Sequence, residues 1–363
     1  MRSLIDICDL TKEEIDDMIA VATDITLHPD DYAEKCKRKK LATLFFEPST
    51  RTRLSFEAAM YELGGNVLPV PGEALSSAAK GESIADTVRV ISSYADIIAM
   101  RSPKEGAAFV AANSAYVPII NAGDGGHCHP TQTLADLFTI YREKGTFDNL
   151  TVGFCGDLKY GRTVHSLITA LSRYQNVKLV LISPQELRLP NYMKLGVIEK
   201  TGMEYVETDD LEKAIPDLDI LYMTRIQQER FEDRTEYERL KDAYILTEEK
   251  MRLAKKDACV MHPLPRVNEI SVKVDSDPRA CYFKQVENGK YIRMALILKL
   301  LDEAKDPVRK DLLEGQDVFT YETGCENPRC ISKTEQELAR LFKVVDRAAN
   351  ICRCVYCEKR KHL

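Results

Sequence analysis

The chain has 363 residues, 44% of them hydrophobic and 30% charged, with a net charge of −6 and a pI near 5.7. That length supports two or three domains with real cores, and the mild acidity argues against a protein that holds nucleic acid by bulk charge. The opening MRSLIDICDLTKEEID turns acidic within a few residues and lacks a signal-type apolar core, and no run of about 18 apolar residues occurs, so the reading is cytoplasmic with no membrane partner.

In chain order, residues 11–24 have the spacing of an amphipathic helix. LATLFF (41–46) is an apolar run that predicts a buried strand, ending at Glu47-Pro48. STRTRLSFEAAMYELGG then has helical periodicity and closes at Gly64-Gly65, a helix stop. Strand, loop and helix recur through VISSYADIIAMRSP, VPIINAGDG and HPTQTLADLFTIYREKG. After a polar break at Lys144-Gly145-Thr146 a second series begins. TVGFCGDLKYGRTVHSLITALSRY reads as strand, loop and helix; VKLVLISP, LDILYMTR and DACVMHPLPR read as strands with loops at their ends. Strands alternating with helices imply parallel sheets, and two series imply two α/β domains whose reactive loops lie at the carboxyl ends of strands. The helix YIRMALILKLLDEAK (291–305) follows, and DPVRKDLLEGQDV opens a stretch of different composition.

That last stretch carries Cys325, Cys330, Cys354 and Cys357, spaced C-x4-C-x23-C-x2-C, which suits one tetrahedral structural Zn2+ per chain. Cys352 makes C-x-C with Cys354 and competes, but C-x2-C forms the better knuckle. The remaining cysteines are scattered, and Cys155 and Cys259 lie in apolar runs expected to bury reduced thiols. A small zinc module can bind nucleic acid or dock subunits. From Pro307 onward there are eleven Lys/Arg against nine Asp/Glu, too weak a basic footprint for nucleic acid.

Two loops suit anions. Ser49-Thr50-Arg51-Thr52-Arg53 lies between a predicted strand and helix, where free N–H groups, the helix dipole, hydroxyls and guanidinium forks favour a phosphate. The plainer alternative is an N-cap hydroxyl beside two solvated arginines. Gly156-Asp157-Leu158-Lys159-Tyr160-Gly161-Arg162-Thr163 nearly matches a nucleotide P-loop, but arginine replaces its lysine and the interior is bulky; a fork here suits a carboxylate better.

Taken in order, STRTR, HPTQ (129–132), GDLKYGRTVHSL (156–167), YMTRIQQER (222–230) and HPLPR (262–266) make residues 1–305 closely resemble the catalytic chain of the aspartate carbamoyltransferase family. CENPRCISK and CRCVYCEK resemble the zinc domain of that family's regulatory chain. The resemblance implies an α/β fold of two doubly wound parallel-sheet domains plus a small C-terminal β-rich zinc domain. The carbamoyl-phosphate domain would be 1–130 with a returning helix at 290–305, the aspartate domain 131–289 and the zinc docking domain 306–363. It also implies carbamoyl phosphate and L-aspartate as substrates, a homotrimer with sites at the subunit interface between domains, and no organic cofactor. The zinc domain would touch catalytic chains and could tie two trimers into a hexamer.

By the same resemblance, Ser49, Thr50, Arg51 and Thr52 bind the phosphate. Arg101 reaches phosphate and carbonyl oxygen, His129 donates to the carbonyl oxygen, and Gln132 takes the carbamoyl NH2. Arg51, Thr52, Arg101 and His129 form the catalytic group. Ser76 and Lys80, on a loop entering the neighbouring subunit's site, add phosphate ligands, and Lys80 also serves aspartate. Arg162 and Arg225 take the aspartate carboxylates, Gln227 assists, and Leu264 offers its carbonyl to the amine. His127 has no matched role and reads as structural. Pro263 stands where ornithine carbamoyltransferases typically carry cysteine, and the two arginines would repel cationic ornithine. The 227–238 loop carries an extra residue, which bears on cooperativity. Between residue 305 and Cys325 there is no room for a nucleotide-binding domain, so regulation by ATP or CTP through this chain is not expected.

Overall fold

The computed structural model describes residues 1–70, 81–226, 234–306, 308, 311–335 and 337–362. Two compact units emerge: residues 1–131 with 290–363, and residues 132–289.

In the first unit, β1 (Lys40–Phe45), β2 (Asn66–Val70), β3 (Ile97–Ser102) and β4 (Ile119–Asp124) form a parallel sheet in the order β2-β1-β3-β4. The helices α1 (Lys12–Leu27), α2 (Thr50–Glu62), α3 (Ile84–Ser92) and α4 (Ala107–Ser114) belong to it. α1 begins at a capping box, in which Thr11 accepts from the N–H of Glu14 while the Glu14 carboxylate accepts from the N–H of Thr11. The predicted strand at 41–46 and the helix ending at Gly64 are present as β1 and α2. Gly64, at φ +78, closes α2 in the left-handed region that glycine adopts without strain.

In the second unit, β5 (Thr151–Cys155), β6 (Lys178–Ile182), β7 (Glu204–Thr208), β8 (Ile220–Met223) and β9 (Cys259–Met261) form a parallel sheet in the order β7-β6-β5-β8-β9, doubly wound about β5. The divisions between units fall within α5 (Pro130–Lys144) and within the helix Tyr282–Glu303. α6 (Arg162–Leu171) follows β5. Two strands have no counterpart in the sequence reading, β2 and β7. Both are edge strands, only half buried, and β2 contains Pro69, which has no N–H to give a ladder.

The cysteine-rich stretch forms an antiparallel sheet, β10 (Val318–Thr320), β11 (Leu341–Asp346), β12 (Ile351–Cys354) and β13 (Arg360–His362), in sequential order. Its apolar side shares one core with α4 of the first unit. α4 reads AAFVAANS, and its small side chains let Ile331, Phe342 and Tyr356 approach closely. Phe109 meets Tyr356 edge to face at 5.8 Å, a contact worth about 0.5–1.5 kcal/mol beyond its area. Main-chain bonds run from Glu105 N to the Arg329 carbonyl (2.9 Å) and from Ile331 N to the Glu105 carbonyl (2.9 Å). The cysteine-rich module thus packs on the first domain of its own chain.

Gly106, at φ +89, is a point of close approach: a Cβ there would sit 2.6 Å from the Tyr356 Cβ. Gly106→Ala is expected to destabilise this contact by about 1–3 kcal/mol in urea unfolding. Gly202→Ala, also at positive φ but with open space around it, is the control that isolates the backbone cost.

Candidate functional site

Parallel pairing brings the predicted anion residues of the first unit together. Phe45 at the end of β1 stands opposite Arg101 on β3, and Phe46 N bonds the Arg101 carbonyl at 2.9 Å. Arg101 therefore lies beside the loop that opens α2. Ser49 occupies the N-cap position of α2 but does not cap it with its side chain. Its Oγ instead accepts from Arg101 Nη1 at 3.1 Å, while Arg101 Nε donates to Glu47 at 2.6 Å. The Ser49 hydroxyl therefore serves Arg101 rather than the helix cap. Thr50 is exposed and Thr52 buried at the helix start. Burial, and then the like charge of Arg101, lower the Arg51 pKa. Crowded cations at a helix N-terminus favour an anion. Arg53 is not part of it; its Nε pairs with Glu57 at 2.7 Å.

His129 is buried at the start of α5, its Nδ1 3.4 Å from the Thr131 hydroxyl. The preceding loop is braced from two sides. Asp124 takes His127 Nδ1 at 2.8 Å, Gly106 N at 2.9 Å and Cys128 N at 3.0 Å. Glu105 takes Gly126 N at 3.1 Å with one oxygen and Asn327 Nδ2 at 2.5 Å with the other. One carboxylate therefore joins the loop before His129 to the metal knuckle, a role no sequence signal announces for residues so far apart. Burial works against a charge on His127, but Asp124, then Asp6 and Glu358 outweigh it and hold its pKa at about 9.

In the second unit, Cys155 on β5 stands opposite Met223 on β8, so the loops after them meet. Thr224 N bonds the Cys155 carbonyl (2.9 Å) and Asp157 N bonds Thr224 Oγ1 (2.9 Å). Gly156, at φ +116, has its Cα so near Thr224 that a Cβ would lie 2.5 Å from that residue's carbonyl oxygen. This packing sets Arg162, first residue of α6, and Arg225 at neighbouring strand ends, both half-buried. Buried Asp157 lies inside the G-x4-G loop, its carboxylate accepting from Tyr160 N at 2.9 Å. A carboxylate in that cradle disfavours a nucleotide phosphate, which agrees with reading Arg162 rather than a P-loop.

Leu264 has φ +53, a left-handed backbone that costs a non-glycine residue about 1–3 kcal/mol. Its N–H donates to His262 Nδ1 at 2.7 Å, so that ring carries its proton on Nε2, which donates to Glu269 at 2.7 Å. Burial works against the Glu269 charge, but His262 and backbone amides hold its pKa low. Gln132 is half-buried on α5 and donates to Asp136. Ser76, Lys80 and Gln227 lie outside the described residues.

The Sγ atoms of Cys325, Cys330, Cys354 and Cys357 lie within 4.8 Å of one another, all buried. Cys325 and Cys357 are 3.5 Å apart and Cys330 and Cys354 3.7 Å. Four thiolates about 2.3 Å from a tetrahedral Zn2+ stand about 3.8 Å apart, so the set fits that ion. Cys352 turns away, its thiol 3.5 Å from the Lys361 carbonyl. Among the described residues no helix is long and apolar enough to cross a membrane.

Two parallel-sheet domains with cationic loops at their strand ends, and a module whose four buried cysteines could hold a metal ion, define an α/β protein with candidate anion sites. Residues 2–142 match the model for the carbamoyl-P binding domain of aspartate/ornithine carbamoyltransferases, 148–300 the Asp/Orn binding domain, and 323–362 the metal binding domain of the aspartate carbamoyltransferase regulatory chain. The aspartate carbamoyltransferase catalytic subunit of Lachnoclostridium phytofermentans is 60% identical over 302 residues, 83% of this chain and 98% of the relative. The Clostridium novyi catalytic subunit is 60% identical over 300 residues, 83% and 98% of the two chains. The solved catalytic subunit of M. jannaschii aspartate transcarbamoylase aligns with TM-score 0.79 and 48% identity over 84% of this chain and 100% of that one. The Trypanosoma cruzi enzyme in complex with N-(phosphonacetyl)-L-aspartic acid aligns with TM-score 0.78 and 38% identity over 82% and 95%. The chain belongs to the aspartate carbamoyltransferase family.

Two outcomes are expected. Because the folded pKa of His127 exceeds its ordinary 6.5, its stabilising charge is fully present below that pH and lost as pH rises through about 9. His127→Asn should flatten the loss of stability across this window; equal pH slopes in variant and wild type would show that His127 does not contribute it. Chelation under reducing conditions should release one metal ion per chain and unfold residues beyond 306, read as new protease cleavage there.

Proposed function

We propose that this chain transfers the carbamoyl group of carbamoyl phosphate to L-aspartate, giving N-carbamoyl-L-aspartate and phosphate, the step that commits carbamoyl phosphate to pyrimidine synthesis. The observation that carries the reading is the Ser49 hydroxyl, turned from its helix cap onto Arg101 beside Arg51, in a chain whose relatives are aspartate carbamoyltransferases.

The chemistry needs no protein nucleophile. The aspartate amine attacks the carbamoyl carbon and an N–C bond forms. The carbonyl oxygen becomes an oxyanion, then re-forms the carbonyl as the C–O bond to phosphate breaks, and phosphate leaves with the electron pair and takes up the proton that the amine gives up. The chain supplies placement and positive charge. Ser49, Thr50, Arg51 and Thr52 hold the phosphate with the first N–H groups of α2. Arg101 spans phosphate and carbonyl oxygen, and His129 donates to the developing oxyanion. Gln132 accepts from the carbamoyl NH2. Arg162 and Arg225 pair with the aspartate carboxylates, and the Leu264 carbonyl, presented by its left-handed backbone, accepts from the amine. Ser76 and Lys80 complete the phosphate ligands, and Lys80 and Gln227 the aspartate ligands, by resemblance.

The metal is Zn2+ held by the four cysteines, where it fixes the fold of the module and takes no part in the reaction. The working assembly is a cytoplasmic homotrimer. The zinc module packs on its own chain's domain, and by resemblance it could also tie two trimers into a hexamer.

The purified chain should form carbamoylaspartate from aspartate and show no turnover with ornithine. Arg101→Ala and His129→Ala should each cut kcat by about 10²–10³-fold, the usual cost of an oxyanion donor. Turnover with ornithine but not aspartate would sink the assignment of Arg162 and Arg225.

A further inference from the structure

We propose that Asp136 is a positioning residue that fixes which end of the Gln132 carboxamide faces the substrate, and so sets the preference for a carbamoyl over an acyl phosphate. The inference rests on the transferase reading above and deepens it.

One group beside Asp136's partners has a polarity that cannot change. The backbone N–H of His262 can only donate, and it lies 3.0 Å from Gln285 Oε1. That end of Gln285 must therefore be its carbonyl oxygen, and the other end its NH2. Gln285 Nε2 lies 2.5 Å from Asp136 Oδ1, so Oδ1 is an acceptor. Gln132 meets the same Oδ1 at 2.7 Å and must turn its own NH2 toward it. The carbonyl oxygen of Gln132 consequently points the other way.

A third donor, the Tyr222 hydroxyl, reaches Asp136 Oδ2 at 2.9 Å. Asp136, Tyr222, Gln285 and His262 are all buried, so water does not compete for these positions. The polarity of one peptide N–H is thus relayed through two amides and a carboxylate.

The consequence is chemical selection. An outward carbonyl oxygen accepts from an NH2 group. It has nothing to bond on a methyl group of the same size, and sites that hydrogen-bond a substrate group discriminate strongly against analogues lacking it. Acetyl phosphate is that analogue: the same attack would break its C–O bond to phosphate and give N-acetylaspartate. The relay also ends at the loop bearing Leu264, through His262, so the group that reads the carbamoyl NH2 and the carbonyl offered to the amine share one support.

The test compares kcat/KM for carbamoyl phosphate and acetyl phosphate, with aspartate as acceptor, in wild type, Asp136→Leu and Asp136→Asn. Leucine removes the acceptor and leaves Gln132 without a fixed polarity, so the carbamoyl-to-acetyl ratio should fall at least tenfold. Asparagine can turn its oxygen to both glutamines and its NH2 to the Tyr222 hydroxyl, which can accept, so the ratio should stay within about threefold of wild type. Should Asp136→Leu fail to fold, Asp136→Ala carries the same measurement. A ratio unchanged in the leucine or alanine variant, whatever the total activity, would reduce Asp136 to a packing role and overturn the proposal. An asparagine variant that loses the ratio as fully as leucine would overturn the polarity argument too. A wild-type chain inactive with carbamoyl phosphate would sink the transferase reading itself, which active wild type with an unchanged ratio would leave standing.

Discussion

Parallel strand pairing is the constraint on which the rest of this molecule depends. Two parallel strands cannot be joined by a tight turn, so the chain must cross back each time, here mostly through a helix. Strand carboxyl ends and helix N-termini are thereby gathered at one edge of each sheet. In the first unit β1 leads to Ser49, Thr50, Arg51 and Thr52, β3 ends in Arg101, and β4 leads to His129. In the second unit β5 leads to Arg162, β8 to Arg225 and β9 to Leu264. No local signal in these loops would assemble them; the register does, as when Phe45 pairs with Arg101.

Assembling cations this way costs stability, and the fold shows how the cost is limited. Arg51 and Arg101 repel one another, and the dipole of α2 adds positive potential. Glu47 offsets one of them by taking the Nε edge of Arg101, which leaves Nη1 for Ser49. A phosphate dianion would relieve the remaining repulsion, so binding and the relief of strain act in the same direction. Leu264 shows the same logic in the backbone: its left-handed conformation persists because His262 and Glu269 brace it from behind.

The sequence was legible where a pattern is local. Buried central strands such as β1 and β8 read as apolar runs, and the anion loops read as hydroxyl and guanidinium clusters between strand and helix. The edge strands β2 and β7 escaped because half-exposed segments lose the apolar run, and β2 holds a proline as well. At the site, Gln132 and Asp136 are four apart on one helix and their pairing was readable in principle. Tyr222 and Gln285 meet Asp136 only through the tertiary fold. Glu105 is a further case: its partners Gly126 and Asn327 flank it in space, and nothing in the sequence near residue 105 hints at a partner 222 residues away.

That contact also explains what fusion to the metal-binding module accomplishes. A separate docking chain must lose translational and rotational freedom to bind, which costs several kcal/mol, whereas a tethered one has an effective concentration set only by its linker. A modest interface then suffices: an alanine-rich helix, one aromatic pair and the Glu105 bonds. Asn327 and Arg329 lie between Cys325 and Cys330, so the loop that meets Glu105 has the shape that the metal knuckle imposes. Glu105 passes that shape to Gly126, three residues before His129. Knuckle, carboxylate and loop are therefore in series, so a metal ion held by the four cysteines would also brace the approach to His129.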